Sequence, residues 1–185
     1  MNIIALGGNG RYFGGGNEGI ARNMPPKRNL SSHPLDSFDR AILRIVQEDN
    51  KTPQRLIAEA VNLSPAAVQR RVRALEAAGV IARNVALVDP AALSLDITAL
   101  VEVNLRDERA ATVDAAKALF RDTPDVQQCY YVTGGVSFVL VIMSRDMRSY
   151  EALTRSLFAE NDLVAGYRTL IALDRVKAGT DLAVD

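Results

Sequence analysis

Two dipeptides, Thr52-Pro53 and Ser64-Pro65, lie twelve residues apart and constrain this chain more than any other feature. Each has the form of a helix start, a hydroxyl residue suited to the N-cap followed by a proline suited to the first helical position. The interval leaves room for one short helix and a tight turn. The short helix is expected from Pro53 to about Ala60, with Leu56, Ile57 and Ala60 inward. Val61-Asn62-Leu63 then reads as the turn, with Leu63 buried. The second start opens a helix to about Ala78, and Gly79 stands where a C′ glycine belongs. Two short helices joined in this way make a helix-turn-helix. Upstream, Leu35, Phe38, Ile42 and Ile45 recur at helical spacing after a possible cap at Asp36 or Ser37, which adds a third helix ended by Asp49-Asn50.

At about 100° per residue, the third helix turns Val68, Val72 and Leu75 toward a core. Ala66, Arg70, Arg73 and Ala77 lie opposite, flanked by Gln69 and Ala74, and Arg71 lies nearer the core edge. Small residues let a backbone approach DNA closely; arginine pairs with guanine or clamps phosphate, and glutamine reads adenine. The N-terminal turn offers free N–H groups to a phosphate. A solvated helix can also carry three arginines. The paired starts, the short turn and the arginine face together favour double-stranded DNA. The residues assigned to it are Ser64, Pro65, Ala66, Ala67, Gln69, Arg70, Arg71 and Arg73.

Beyond an extended connector, Val80 to Val88, the periodicity changes. Ile97 to Leu105 alternates as a strand, Arg109 to Phe120 is helical, and Val126 to Thr133 is a strand. Gly134-Gly135 marks a hairpin into a strand over Val136 to Met143. Met147 to Phe158 is helical and Val164 to Leu173 is the last strand. The order is βαββαβ, a ferredoxin-like (ACT-like) α/β sandwich with helices on one face of an antiparallel sheet. The chain is therefore α+β, a three-helix, winged-helix-like head followed by this second domain. One helix layer covers one sheet face. The other keeps Val139 and Val141, with Cys129 and Tyr131 on the next strand, and an apolar face of this kind implies a second copy packed with two-fold symmetry.

Net charge is zero, but it is unevenly spread: +3 over residues 1–35, +2 over 36–85 and −5 over 86–185. A basic front and an acidic back suit a DNA-binding module tied to one that does not bind DNA. No apolar run approaches the roughly 18–20 residues needed to cross a bilayer. Cys129 is the only cysteine and His33 the only histidine, so no disulfide and no His/Cys metal site is expected, and a cytoplasmic location fits. No cofactor is expected. No catalytic constellation is present either: Cys129 has no histidine elsewhere to activate it and reads as a small buried hydrophobe. Gly8, Gly10 and Gly14 form G-x-G-x-x-x-G with no helix after it, which is not a dinucleotide fingerprint. The Gly- and Asn-rich start reads as a disordered tail, with Met24 as an alternative start of the native chain.

Four stretches resemble the Lrp/AsnC (leucine-responsive, feast/famine) family of transcription regulators: LDSFDRAILRIVQEDN, LSPAAVQRRVRALEAAGVI, VDPAALSLDITALVEV and VTGGVSFVLVI. The resemblance spans about Leu35 to Asp185. It implies a DNA-binding head, an effector domain, dimers that assemble further, and amino acids as effectors. The family's hairpin commonly reads G-D-x-D-Y/F-x-L; here it is Gly134-Gly135-Val136-Ser137-Phe138-Val139-Leu140, with Gly135 and Ser137 in place of both acids. The resemblance assigns the effector to Thr133, Gly134, Gly135, Val136, Ser137 and Phe138, while Gly134-Gly135 alone indicates only a hairpin needing positive φ. The expected layout is a tail at 1–34, the helix-turn-helix at 35–82, a linker at 83–95, the effector-binding and oligomerisation domain at 96–178, and a C-terminal tail at 179–185. Two alternatives stand beside it. One is a ferredoxin-like RNA binder stacking bases on Tyr130, Tyr131 and Phe138. The other is a stand-alone amino-acid-sensing protein, which leaves the front half without a role.

Overall fold

The computed structural model describes residues 34–185; the expectations for the glycine-rich tail and Met24 lie outside the described residues. Three helices form the head: α1 (Ser37–Glu48), α2 (Gln54–Val61) and α3 (Pro65–Ala77). Asp36 caps α1 reciprocally. Its carboxylate accepts the Asp39 N–H at 2.8 Å, and the Asp39 carboxylate accepts the Asp36 N–H at 3.3 Å. Ser64 caps α3, its Oγ accepting the Ala67 N–H at 3.2 Å, with Pro65 in the first turn. The parallel expectation for Thr52 is corrected: α2 starts at Gln54, and the Thr52 hydroxyl donates to the Asp49 carbonyl at 2.8 Å instead.

The head core is Ile42, Ile57, Ala58, Val61 and Val68, with Leu75 also fully buried. Ile57, Ala58 and Val61 are the inward positions of α2, while Leu56 and Ala60, expected inside, are exposed, and Leu63 is half-buried. α3 ends as expected on Gly79 at φ 76°. The Val80 N–H reaches the Leu75 carbonyl at 2.9 Å and the Gly79 N–H reaches Glu76 at 3.0 Å, a Schellman closure.

A single 3₁₀ turn, Pro90–Leu93, leads into the second unit: β1 (Ile97–Leu105), α4 (Ala110–Asp122), β2 (Val126–Tyr131), β3 (Phe138–Ser144), α5 (Met147–Thr154), which runs on into a π turn over Arg155–Ala159, and β4 (Val164–Ile171). The sheet order is β2-β3-β1-β4, with every neighbouring pair antiparallel. Ala99, Val101 and Val103 of β1 and Phe138, Leu140 and Ile142 of β3 face the helices. They pack on Val113, Ala116, Phe120, Leu157 and Phe158. Phe120 is the hinge of this core, edge-on to Phe138 at 5.2 Å and to Phe158 at 6.0 Å.

The register settles the other face. Gln128, Val141, Leu100 and Leu170 form one cross-strand row, and Tyr130, Val139, Glu102 and Arg168 the next. Cys129 and Tyr131 pair with Leu140 and Phe138 and so lie on the helix side, which corrects their expected placement on the open face. The segment expected as a free C-terminal tail lies against α1. The Gln47 amide exchanges two hydrogen bonds with the Leu182 backbone at 2.9 and 3.2 Å, and Arg44 donates to the Val184 carbonyl at 2.8 Å.

Candidate nucleic-acid interface and effector hairpin

The cap at Ser64 and the burial of Val68 and Leu75 fix how α3 is turned about its axis. That rotation leaves Ser64, Pro65, Ala66, Gln69, Arg70 and Arg73 exposed along one side, with Ala67 half-buried. Arg70 and Arg73 make no ion pair among the described residues, so both guanidiniums are free to meet a phosphate or a base edge. Arg71 is different. One of its nitrogens sits 2.8 Å from both Asp36 and Asp39, and its guanidinium lies over the Phe38 ring at 5.4 Å. The hydrogen bonds that Arg71 donates to Asp39 and Asp36 raise its pKa. The expectation that Arg71 faces DNA is therefore corrected. One step round the helix from Arg70 turns it toward α1, where it ties the start of α1 to α3.

The hairpin between β2 and β3 bends at Gly134 (φ 114°) and Gly135 (φ 103°), and a side chain at either would meet open space. The obstacle to the family's acid at Gly135 is backbone conformation rather than room. Thr133, Gly134 and Gly135 are exposed and Val136 is half-buried. Phe138 is fully buried, with its ring 5.1 Å from Tyr131 and packed on Phe120. Its assignment as an effector contact is corrected to an anchor that seats the hairpin on the core, because strand alternation sends it inward. The burial of Phe138 also removes the shared aromatic platform on which the RNA-binding alternative depended.

Ser137 is 5% exposed, and its hydroxyl accepts the Leu105 N–H at 3.0 Å and donates to Glu108. The Tyr131 hydroxyl donates to the other Glu108 oxygen at 3.0 Å, and this bond raises the Tyr131 pKa, since the carboxylate favours the protonated phenol. Asp107 serves the first turn of α4 through Thr112 (2.7 Å) and the Arg109 N–H (3.0 Å), which lowers its pKa. Glu108 joins the hairpin across 29 positions of sequence, a contact with no local signal. On the open sheet face, Arg168 grips Glu102 through two bonds of 2.9 Å, which lowers the Glu102 pKa. Among the described residues, no group of three or more His, Cys, Asp or Glu side chains is placed to hold a metal, and no helix is long and apolar enough to cross a membrane.

Two family models match this chain, a winged helix-turn-helix DNA-binding domain over residues 35–82 and an Lrp/AsnC ligand-binding domain over residues 98–182. An uncharacterised HTH-type transcriptional regulator of Sinorhizobium fredii is 42% identical over 144 residues, which cover 78% of this chain and 85% of the relative. The chain belongs to the Lrp/AsnC family. It is a transcriptional regulator with a helix-turn-helix head and a ligand-binding domain, as the sequence led one to expect, and not an enzyme. The leucine-responsive regulatory protein of Rhizobium meliloti is 32% identical over 143 residues, 77% of this chain and 92% of that one. The solved structure of a Neisseria meningitidis transcriptional regulator in complex with L-methionine is 27% identical, with TM-score 0.77, over 82% of this chain and 97% of that one. These likenesses agree with the Lrp/AsnC architecture of an α-helical head and an α/β sandwich.

Proposed function

We propose that this Lrp/AsnC regulator binds double-stranded promoter DNA as a two-fold dimer, and that an amino acid held at the 133–137 hairpin shifts its affinity or assembly. The observation that carries the reading is the outward side of α3, where Arg70, Arg73 and Gln69 stand exposed among Ser64, Pro65, Ala66 and the half-buried Ala67, with both arginines free of ion pairs among the described residues. Such a surface fits the major groove. The small residues admit the backbone, the first turn offers N–H groups to a phosphate, and the arginines reach bases or phosphates. Two heads related by a two-fold axis match a palindromic operator. The open sheet face supports the dimer, since Leu100, Val139, Val141 and Leu170 need cover and the Glu102–Arg168 pair at its centre keeps the registry polar. Amino-acid sensing is supported by the ligand-binding domain and by the L-methionine complex of the Neisseria relative. The cytoplasm, where promoter DNA is reached, is the proposed location.

The test begins with genome-wide mapping of bound sites, which supplies an operator. Binding of that operator by fluorescence anisotropy is then compared for the wild type, Arg70→Ala and Arg73→Ala. Loss of a base contact weakens binding by about 1–3 kcal/mol and relaxes preference at one position, whereas loss of a phosphate contact weakens all sequences alike and lowers the salt slope by about one. Wild-type affinity in both variants would overturn the assignment of this face.

A further inference from the structure

Glu108 lies in the β1–α4 loop and is held by the hairpin. Its two carboxylate oxygens are held by two neutral hydroxyls, Ser137 on one and Tyr131 on the other at 3.0 Å. Ser137 is itself buried and fixed by the Leu105 N–H. No lysine or arginine pairs with Glu108 among the described residues. Lys117 lies over the Tyr131 ring at 4.8 Å, but its ammonium is 3.7 Å from Asp114. Glu108 is thus an exposed carboxylate, oriented by two hydroxyls, at the base of the hairpin.

The hairpin supplies a complementary feature. The N–H groups of Gly134 and Gly135 make no hydrogen bond among the described residues; the ladder closes at the Val132 N–H to Ser137 carbonyl bond, 3.0 Å. With both glycines at positive φ and open space above them, these amides are available to an anion. A carboxylate bonded to Ser137, two residues from the bend, and bare amides at the bend itself together suit a zwitterion.

We propose that Glu108, delivered from the β1–α4 loop and oriented by Ser137 and Tyr131, is the ammonium-binding group of the effector site and replaces the acids absent at Gly135 and Ser137. This rests on the reading of the hairpin as the effector site. It commits the ligand to the class of α-amino acids, with the ammonium on Glu108 and the carboxylate on the Gly134–Gly135 amides. Ser137 and Tyr131 are positioning residues. The loss of hairpin acids is then a relocation of charge, from a side chain that positive φ at Gly135 disfavours to a loop residue free of that constraint.

The test uses the full chain, with isothermal calorimetry against the twenty L-amino acids one at a time. The tightest binder is then compared with its 2-hydroxy acid and its decarboxylated amine. Glu108→Gln is expected to weaken the amino acid by at least ~10-fold, the scale of one charge-assisted hydrogen bond, and to leave the weak binding of the 2-hydroxy acid unchanged. Tyr131→Phe, which keeps the ring and its contact with Phe138, is expected to give a smaller loss of the same selectivity; circular-dichroism melts verify that both variants are folded. Equal amino-acid binding by Glu108→Gln and wild type overturns the role of Glu108 and leaves amino-acid sensing standing. Binding of the amine as tightly as the amino acid overturns the α-amino-acid class. Silence of the wild-type protein toward all twenty overturns the sensing reading and the Glu108 assignment together.

Discussion

Arg71 shows how one side chain can look functional in sequence and be structural in the fold. It stands among the arginines of the reading helix, yet it holds Asp39, whose side chain is 5% exposed, and Asp36 at the start of α1. Arg71→Ala should therefore act on stability. With two charge-assisted hydrogen bonds lost at a partly buried site, a destabilisation of roughly 1–2 kcal/mol is expected in chemical denaturation. Operator affinity measured on the folded fraction should change far less than for Arg70→Ala. The same cluster sets a pH response. The backbone bond from Asp39, with Arg71 beside it, lowers the Asp36 pKa below its ordinary 3.8. A group whose folded pKa is depressed contributes stability that is present above 3.8 and lost as pH falls through the folded value. Melts recorded from about pH 6 down to about pH 2 should show Asp36→Asn already lacking this contribution at the upper end, with its difference from wild type vanishing at the lower end.

At the scale of elements, α3 is limited at both ends by a few residues. Ser64 and Pro65 set where it starts, and Gly79, at φ 76°, receives the chain as it leaves. A Cβ in that conformation costs about 1–2 kcal/mol, so Gly79→Ala should lower the head's stability by about that much while leaving the reading face intact. A melting shift with unaltered operator affinity at low temperature would bear this out; loss of affinity in the fully folded state would place Gly79 in the interface. These ends were legible in sequence because capping is local. α2 was less so. Thr52 turns back to Asp49, and Ala58 replaces Ala60 as the inward alanine, because in an eight-residue helix the packing of α1 and α3 decides the rotation. The hairpin bend was legible from two adjacent glycines, but the fate of its side chains was not. Ser137 and Phe138 both turn inward once β3 pairs with β1.

For the whole molecule, the open sheet face is the surface with the clearest consequence for assembly. Val141 pairs across β3 and β1 with Leu100, and Leu100 with Leu170, so one substitution at the middle of the row disturbs the whole stripe. If the proposed dimer forms on this face, Val141→Asp shifts the protein toward monomer in light-scattering chromatography, with operator affinity falling as two-headed binding is lost. An unchanged dimer mass would place the dimer contact elsewhere. The C-terminal segment that grips α1 through Gln47 and Arg44 joins the two halves of the chain by a second route besides the linker.

Sequence by itself determined the two-part architecture, the helix-turn-helix, the βαββαβ order and the outward placement of Arg70 and Arg73. All of these follow from periodicity and capping, which act over a few residues. Only the tertiary structure decided that Arg71 is a clamp, that Cys129 and Tyr131 lie on the helix side, and that the chain's end rests on α1. It also decided that Glu108 stands at the hairpin. The reason is common to all four: each depends on strand register or on contact between residues far apart in the chain, and no local pattern encodes such pairings.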